Sequence, residues 1–165
     1  MVLVRATVLD DWQAMREIRL LALRDAPDAF GSSYARDAAF EPAEWQRRAT
    51  RDGSFFAFLP DVGHVAPAGL AGGYEEEPGV VELISMFVRP QARGRGVGEA
   101  LVHAVAAWAR KRNAISVHLW VTETNKPALR LYERCGFTVT PEHQSLPSNP
   151  ALGEVGMTRP LRLGG

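Results

Sequence analysis

The run Arg93-Gly94-Arg95-Gly96-Val97-Gly98 places two cationic side chains among three glycines. Glycine admits φ > 0 and lets a backbone press close to a ligand. The run falls between an apolar stretch at 80–88 and an amphipathic pattern beginning near Val97, so it reads as a loop feeding a helix N-terminus. First-turn N–H groups lack intrahelical partners there, and the helix dipole adds roughly half a positive charge. Such a turn holds phosphate, and the flanking Arg93 and Arg95 suit a pyrophosphate-bearing ligand. Two other glycine loops do not match. A dinucleotide fingerprint counted from Gly94 and Gly96 needs glycine where Glu99 stands, and a nucleoside-triphosphate loop needs a Gly-Lys-Ser/Thr ending that this run lacks.

A second group lies at 125–137. Asn125 suits a helix cap, Pro127 its first turn and Gly136 the left-handed position after its last turn, while Ala128, Leu131, Tyr132 and Cys135 recur at i, i+3, i+4, i+7. Tyr132 then carries a phenol about two turns past the cap. Glu82 is a carboxylate in an otherwise apolar run, four residues before Met86. It reads either as a proton acceptor or as a structural glutamate paired with an arginine or a backbone amide across a sheet.

Arg93-x-x-Gly96-x-Gly98 after Val88-Arg89-Pro90 resembles the acyl-CoA loop of the GNAT family of acetyl-CoA-dependent N-acetyltransferases. Asn125, Ala128, Tyr132, Gly136 and Phe137 resemble that family's second signature. The resemblance is close from 80 to 137 and general elsewhere. It implies an α/β (α+β) fold in one domain over 1–165, with a mixed, mostly antiparallel sheet, helices on both faces and a splayed parallel strand pair. It implies transfer of acetyl from acetyl-CoA to a primary amine by direct attack. Under it Arg93, Gly94, Arg95, Gly96, Val97 and Gly98 hold the pyrophosphate, and the edge of Met86, Phe87 and Val88 pairs with the pantetheine amides. A backbone N–H near Met86 or Phe87 faces the acetyl oxygen. Asn125 and Ala128 border the arm, Tyr132 protonates the departing sulfur, and Glu82 is the general base. A bulge in the 80–88 strand and its divergence from the next parallel strand open the wedge between them. A homodimer is a further family-level expectation.

The chemistry sets magnitudes. A lysine-like amine at pH 7 lies about 3.4 units below its pKa, so supplying it neutral costs roughly 4.6 kcal/mol. A phenol near pKa ~10 feeding a thiolate whose conjugate acid lies near ~8.5 works uphill by roughly 2 kcal/mol, which positioning must offset. Two other readings keep the same loop: an acyl-CoA sensor without turnover, against which Tyr132 argues, and an acyltransferase using another acyl-CoA. Glu75-Glu76-Glu77 before Pro78-Gly79 reads as a solvated hairpin tip, Cys135 as a packed thiol, and His118 with Trp120 as sheet packing that could border the acceptor.

The elements that must position these residues follow from periodicity. A strand at 2–8 precedes a helix capped by Asp10 or Asp11 that ends before Pro27; 30–40 is irregular, and a short helix opens at Glu41-Pro42 and runs to about Thr50. Strands at 54–59, 68–74 and 80–88 form an antiparallel meander. The main helix spans 97–112 with Val97, Leu101, Ala104, Val105 and Trp108 buried, and 116–121 returns parallel to 80–88. After the Tyr132 helix come a strand near 137–140, a Pro-rich loop through Pro150 and a last strand at 154–161. Trp12, Phe30, Tyr34, Phe40 and Trp45 read mostly as core, with the acceptor region at 12–50 and 140–152.

The chain has 165 residues, a formal net charge of zero, one cysteine and four scattered histidines, His64, His103, His118 and His143. A single domain, no metal and no internal disulfide are expected, and spread basic residues give no electrostatic case for nucleic acid. No apolar run reaches membrane-spanning length and the start lacks a signal-peptide core, so a cytoplasmic protein is expected.

Overall fold

The structure, a computed structural model, describes residues 1–60 and 66–161; His64 lies outside them. Strands β1 (Leu3–Ala6), β2 (Ser54–Phe58), β3 (Gly69–Glu77), β4 (Val80–Val88), β5 (Ser116–Thr122), β6 (Thr138–Leu146) and β7 (Asn149–Pro160) form one sheet in the order β1-β2-β3-β4-β5-β7-β6. The helices are α1 (Trp12–Asp25), α2 (Tyr34–Ala38), α3 (Pro42–Ala49), α4 (Val97–Lys111) and α5 (Lys126–Arg134). All strand pairs are antiparallel except β4 with β5.

Two-residue alternation divides the sheet between two cores. Phe56 and Leu70 pack with Met15, Ile18, Leu23 and Trp45 of α1 and α3, while their neighbours Ala57 and Ala71 pack with Val97, Leu101 and Val105 of α4. On β4, Val81 and Leu83 join the α4 core, yet Phe87 joins the α1 core. Strict alternation would put all three on one face. The break is at Ser85, whose φ of 59° marks an extra residue: Leu70 pairs with Phe87 and Gly72 with Ile84, two steps on β3 against three on β4. This is the expected bulge.

The divergence is there as well. β4 and β5 pair only at Val80–Ser116, Val81–Val117 and Glu82–His118, although both strands continue. On the other side of β4 the ladder with β3 runs to its end, where the Arg89 N–H reaches the Ala68 carbonyl at 2.8 Å. By alternation the N–H groups of Met86 and Val88 therefore face the opened side, and that of Phe87 faces β3.

Several expectations need correction. Segment 30–40 contains α2, capped by Ser33 Oγ, which accepts from the Arg36 N–H at 3.2 Å, and it is organised around Asp37, which is fully buried. Asp11 stands at the N-cap of α1, but its carboxylate turns back to the Val8 N–H and to Arg5, at 2.8 and 2.7 Å. The Pro-rich loop is the hairpin of β6 and β7. β6 is an edge strand, and Pro141 falls in a register irregularity between Val139 and His143, where no ladder N–H is needed. β3 extends through Glu77, past its expected end at Tyr74, and Glu75, Glu76 and Glu77 remain exposed beside the Pro78–Gly79 turn. On α4 the most buried positions include Val102, Ala106 and Ala109, with Ala104 and Trp108 half-buried.

Trp108 donates to Asp52 at 3.1 Å and its ring lies against Gly53, whose φ is +89°. A Cβ at Gly53 would meet the Gly73 carbonyl oxygen at 2.6 Å. Gly53→Ala is therefore expected to lower unfolding free energy by about 2 kcal/mol or more. Urea denaturation checks this, and a change within error would show that the turn relaxes freely.

Candidate active site

The wedge between β4 and β5 opens into a cavity of about 680 Å³. Glu82, Ser85 and Met86 of β4, Trp120 of β5, and Asn125, Ala128 and Tyr132 of α5 all line it. Phe30 closes one side, held by its carbonyl accepting from Ser148 Oγ at 2.6 Å, while Thr122 Oγ1 donates to the Asp28 carbonyl at 2.6 Å.

The glycine loop lies beyond one end of β4, and its three glycines do different work. Gly94 and Gly96 have φ of 76° and 84°, and nothing lies within 4 Å of where a Cβ would project, so the loop surface is left bare. Gly98 is helical. A Cβ there would come within 3.0 Å of Leu131 Cδ2, so this glycine admits α5 close to α4. Gly96 is the left-handed cap of α4, and helix geometry leaves the N–H groups of Val97, Gly98 and Glu99 without intrahelical carbonyls. These features fit a diphosphate. Arg95 is exposed in the loop. Arg93 is half-exposed: Nε donates to the Val88 carbonyl at 3.1 Å and Nη2 meets Asp25 at 2.8 Å. It braces the loop against β4 and α1. Phe87 points away from the wedge, its ring buried in the α1 core.

Asn125 caps α5, its Oδ1 accepting from the Ala128 N–H at 3.3 Å, which leaves its two amide N–H donors for a ligand. Tyr132 is 7% exposed, edge-on to Phe137 with ring centroids 5.8 Å apart. No hydrogen bond reaches its hydroxyl among the described residues. Burial, and to a lesser degree the Cys135 thiol, pushes the phenol well above its ordinary value. It is therefore a hydrogen-bond donor at any ordinary pH. Cys135 is buried with its own pKa raised by desolvation, as a packed thiol should be.

Glu82 is 7% exposed, and its partner is neither an arginine nor a backbone amide. His118, directly across the last β4–β5 rung, places Nδ1 at 2.8 and 2.9 Å from the two carboxylate oxygens. His118 Nε2 lies 3.1 Å from Glu142, whose side chain is 56% exposed. A line of titratable groups thus runs from the cavity to solvent. Gly156 makes room for it, since a Cβ there would lie 2.9 Å from His118 Nε2. Sequence periodicity put His118 and Trp120 on one face but could not supply the register that sets His118 beside Glu82.

Of the aromatic candidates, Trp45 and Phe30 are buried, Trp12 and Phe40 pack partly against the α1 core, and Tyr34 is exposed. Among the described residues no cluster of three or more His, Cys, Asp or Glu could hold a metal, and no helix is long and apolar enough to cross a membrane.

A single sheet with one short parallel rung set, a bulged strand at the fork and a glycine-capped helix beside it define an acyltransferase-type fold. The model of the acetyltransferase (GNAT) family matches residues 12–137, and the chain belongs to that family. A mycothiol acetyltransferase of Salinispora arenicola is 38% identical over 124 residues, covering 67% of this chain and 40% of that protein. The chain spans less than half the length of the curated relatives it matches. A GCN5-related N-acetyltransferase from Kribbella flavida superposes with a TM-score of 0.77 at 25% identity, covering 97% of this chain and 98% of that one. The yncA structure from Salmonella typhimurium, solved with acetyl-CoA, gives 0.76 at 20% identity over 100% of this chain and 96% of that one, a likeness of fold.

The hydrogen bond that His118 donates to Glu82 raises the imidazole pKa against desolvation, with the charges of Glu82 and Glu142 adding to it. A raised folded-state pKa means that the imidazolium's contribution to stability is full below the unfolded value near ~6.5 and is lost as pH rises through the folded value. Histidine NMR titration is expected to place His118 above ~6.5 and Glu82→Gln to lower it. A midpoint unmoved by Glu82→Gln would contradict the pairing.

Proposed function

We propose that the protein transfers acetyl from acetyl-CoA to a primary amine by direct attack within the wedge. The observation that carries this reading is the convergence on one cavity of a bulged, half-unpaired β4, the Asn125–Tyr132 face of α5 and the Glu82–His118 pair. The donor supplies an activated acetyl thioester. The N–H groups of Val97, Gly98 and Glu99, with Arg95, hold its diphosphate; the bare backbone at Gly94 and Gly96 admits it. The gap-facing N–H groups of Met86 and Val88 bind the arm as an added strand would, and the Asn125 amide contributes a further donor.

An ammonium entering the cavity gives up two protons. Neutral His118 beside ionised Glu82 accepts the first through the carboxylate and releases it by way of Glu142. The amine lone pair then forms the C–N bond at the acetyl carbon, the C–S bond breaks, and the second proton goes with the sulfur, which leaves as the thiol. Tyr132 assists that departure. Its raised pKa makes full ionisation unfavourable, so it acts as a hydrogen-bond donor that shares its proton with sulfur while the amide proton is delivered. The same burial also destabilises a bare thiolate and narrows the mismatch between the two groups.

Tyr132→Phe is expected to lower kcat by about a hundredfold with less than about a threefold change in acetyl-CoA Kd. Equal turnover would remove the phenol from the mechanism. Activity should rise with pH through the His118 titration, because the protonated imidazole has no capacity left to accept. In kcat/KM profiles, His118→Gln should abolish that limb, and a limb left in place would assign it to the substrate amine instead.

A further inference from the structure

The cavity has a second pole that acetyl transfer leaves unused. Opposite the sheet, α1, α2, α3 and the turn just past α3 line it with Arg19, Arg36, Arg47, Arg48 and Arg51. The whole chain carries 19 cationic and 19 acidic residues, so the surplus here is local. Two carboxylates are committed to these arginines. Asp37 meets Arg19 at 3.1 Å and Arg48 at 3.7 Å, and Glu44 meets Arg47 at 2.7 Å and Arg48 at 3.1 Å. Five guanidinium groups against two carboxylates leave three positive charges on one wall.

Among the described residues no carboxylate lies within ion-pair reach of Arg36 or Arg51. Desolvation and then the charges of Arg48 and Arg47 bear on Arg51, and Arg48 also repels Arg19. Crowded cations on a concave, partly dry wall are unfavourable until an anion joins them. The pole also reaches the chemistry. Arg19 is 9% exposed, lies over the Phe30 ring at 4.9 Å, and places Nη1 3.4 Å from Ser85 Oγ, the bulge residue at the fork. Tyr74, opposite Glu82 on β3, lines the cavity together with Glu82 and Arg51, and burial, then its hydrogen bond to Glu76, raises its phenol pKa. Carboxylate and arginines therefore face one shared space.

We infer that the acceptor is a small amine bearing an oxyanion, a carboxylate or a phosphate, which the arginine pole binds while the amine meets Glu82. The inference rests on the acetyl-transfer reading and names its substrate class. A guanidinium fork matches either oxyanion with paired hydrogen bonds. The same wall repels polycationic amines, and Glu75, Glu76 and Glu77 are exposed where β3 ends, with Glu76 accepting from the Tyr74 phenol.

Two measurements test it. Glutarate and its neutral diamide, glutaramide, are titrated into the protein and followed at the indole N–H of Trp120, which lines the cavity. Glutarate is expected to shift that resonance saturably and glutaramide not; Arg51→Gln, at an exposed position, should weaken glutarate by about tenfold, with Arg51→Lys recovering part. Equal responses to the two probes, or unchanged glutarate affinity in Arg51→Gln, would overturn the inference. Thiol release from acetyl-CoA is then compared for 4-aminobutyrate against 4-aminobutyramide and for 2-aminoethyl phosphate against ethanolamine. The anionic member of at least one pair is expected to have the higher kcat/KM by about tenfold, a preference lost in Arg51→Gln, and the pair showing it distinguishes carboxylate from phosphate. Neutral members reacting equally well would overturn the anion pole and leave acetyl transfer standing. Arg51-dependent glutarate binding with no thiol release from any of the four would support the pole and count against acetyl transfer.

Discussion

The parting of β4 from β5 after three paired rungs governs this molecule. Two parallel strands that separate inside a sheet expose backbone N–H and C=O groups in the interior, and such groups are costly unless something pairs with them. The extra residue at Ser85 turns β4 aside and reverses which of its side chains face α1, so Phe87 fills the α1 core while the N–H groups of Met86 and Val88 face the gap. Arg93 takes the Val88 carbonyl and ties the glycine loop to the same strand end. The fold thus keeps one short stretch of strand without a full ladder, and the proposed contacts to the donor's arm lie along it.

The rung at which the strands part is itself ionisable. Glu82 and His118 face each other where β4 and β5 last touch, and Glu142 on the edge strand β6 carries the line to solvent. A carboxylate nine-tenths buried needs a partner, and an imidazole across the sheet satisfies it while remaining able to exchange a proton near neutral pH. In the proposed mechanism the pair that meets this structural need also moves the proton. On the facing wall, α1 to α3 hold a surplus of guanidinium groups around the buried Asp37. The cavity is therefore polarised, with the Glu82 carboxylate on one side and guanidinium groups on the facing wall.

How much of this was legible in the sequence depended on the range of the interactions. Strand 80–88, the main helix and the capped helix carrying Tyr132 were readable because their signals are local: apolar period, cap and turn residues. The sites on them followed from the resemblance. What escaped is non-local. α2 is short and organised by Asp37, whose partner Arg19 lies 18 residues earlier. His118 acquires meaning only through its register with Glu82, 36 residues away. Arg93, read as a phosphate ligand, also pairs with Asp25, 68 residues away, a contact no local pattern announces. The prolines at 141, 147 and 150 suggested a loop, but the edge strand β6, the turn after it and the first residues of β7 tolerate them. The arginine wall has no period at all, being drawn from three helices and the residue beyond them.

Amide hydrogen exchange with and without coenzyme A tests the central claim most directly, since an arm seated between the parted strands must cover the amides that the fork leaves open. Slowed exchange at Met86 and Val88 together with Val97, Gly98 and Glu99, with Phe87 already slow in the unliganded protein, is the predicted result. Protection confined to other segments, with Met86 and Val88 exchanging as before, would contradict the account.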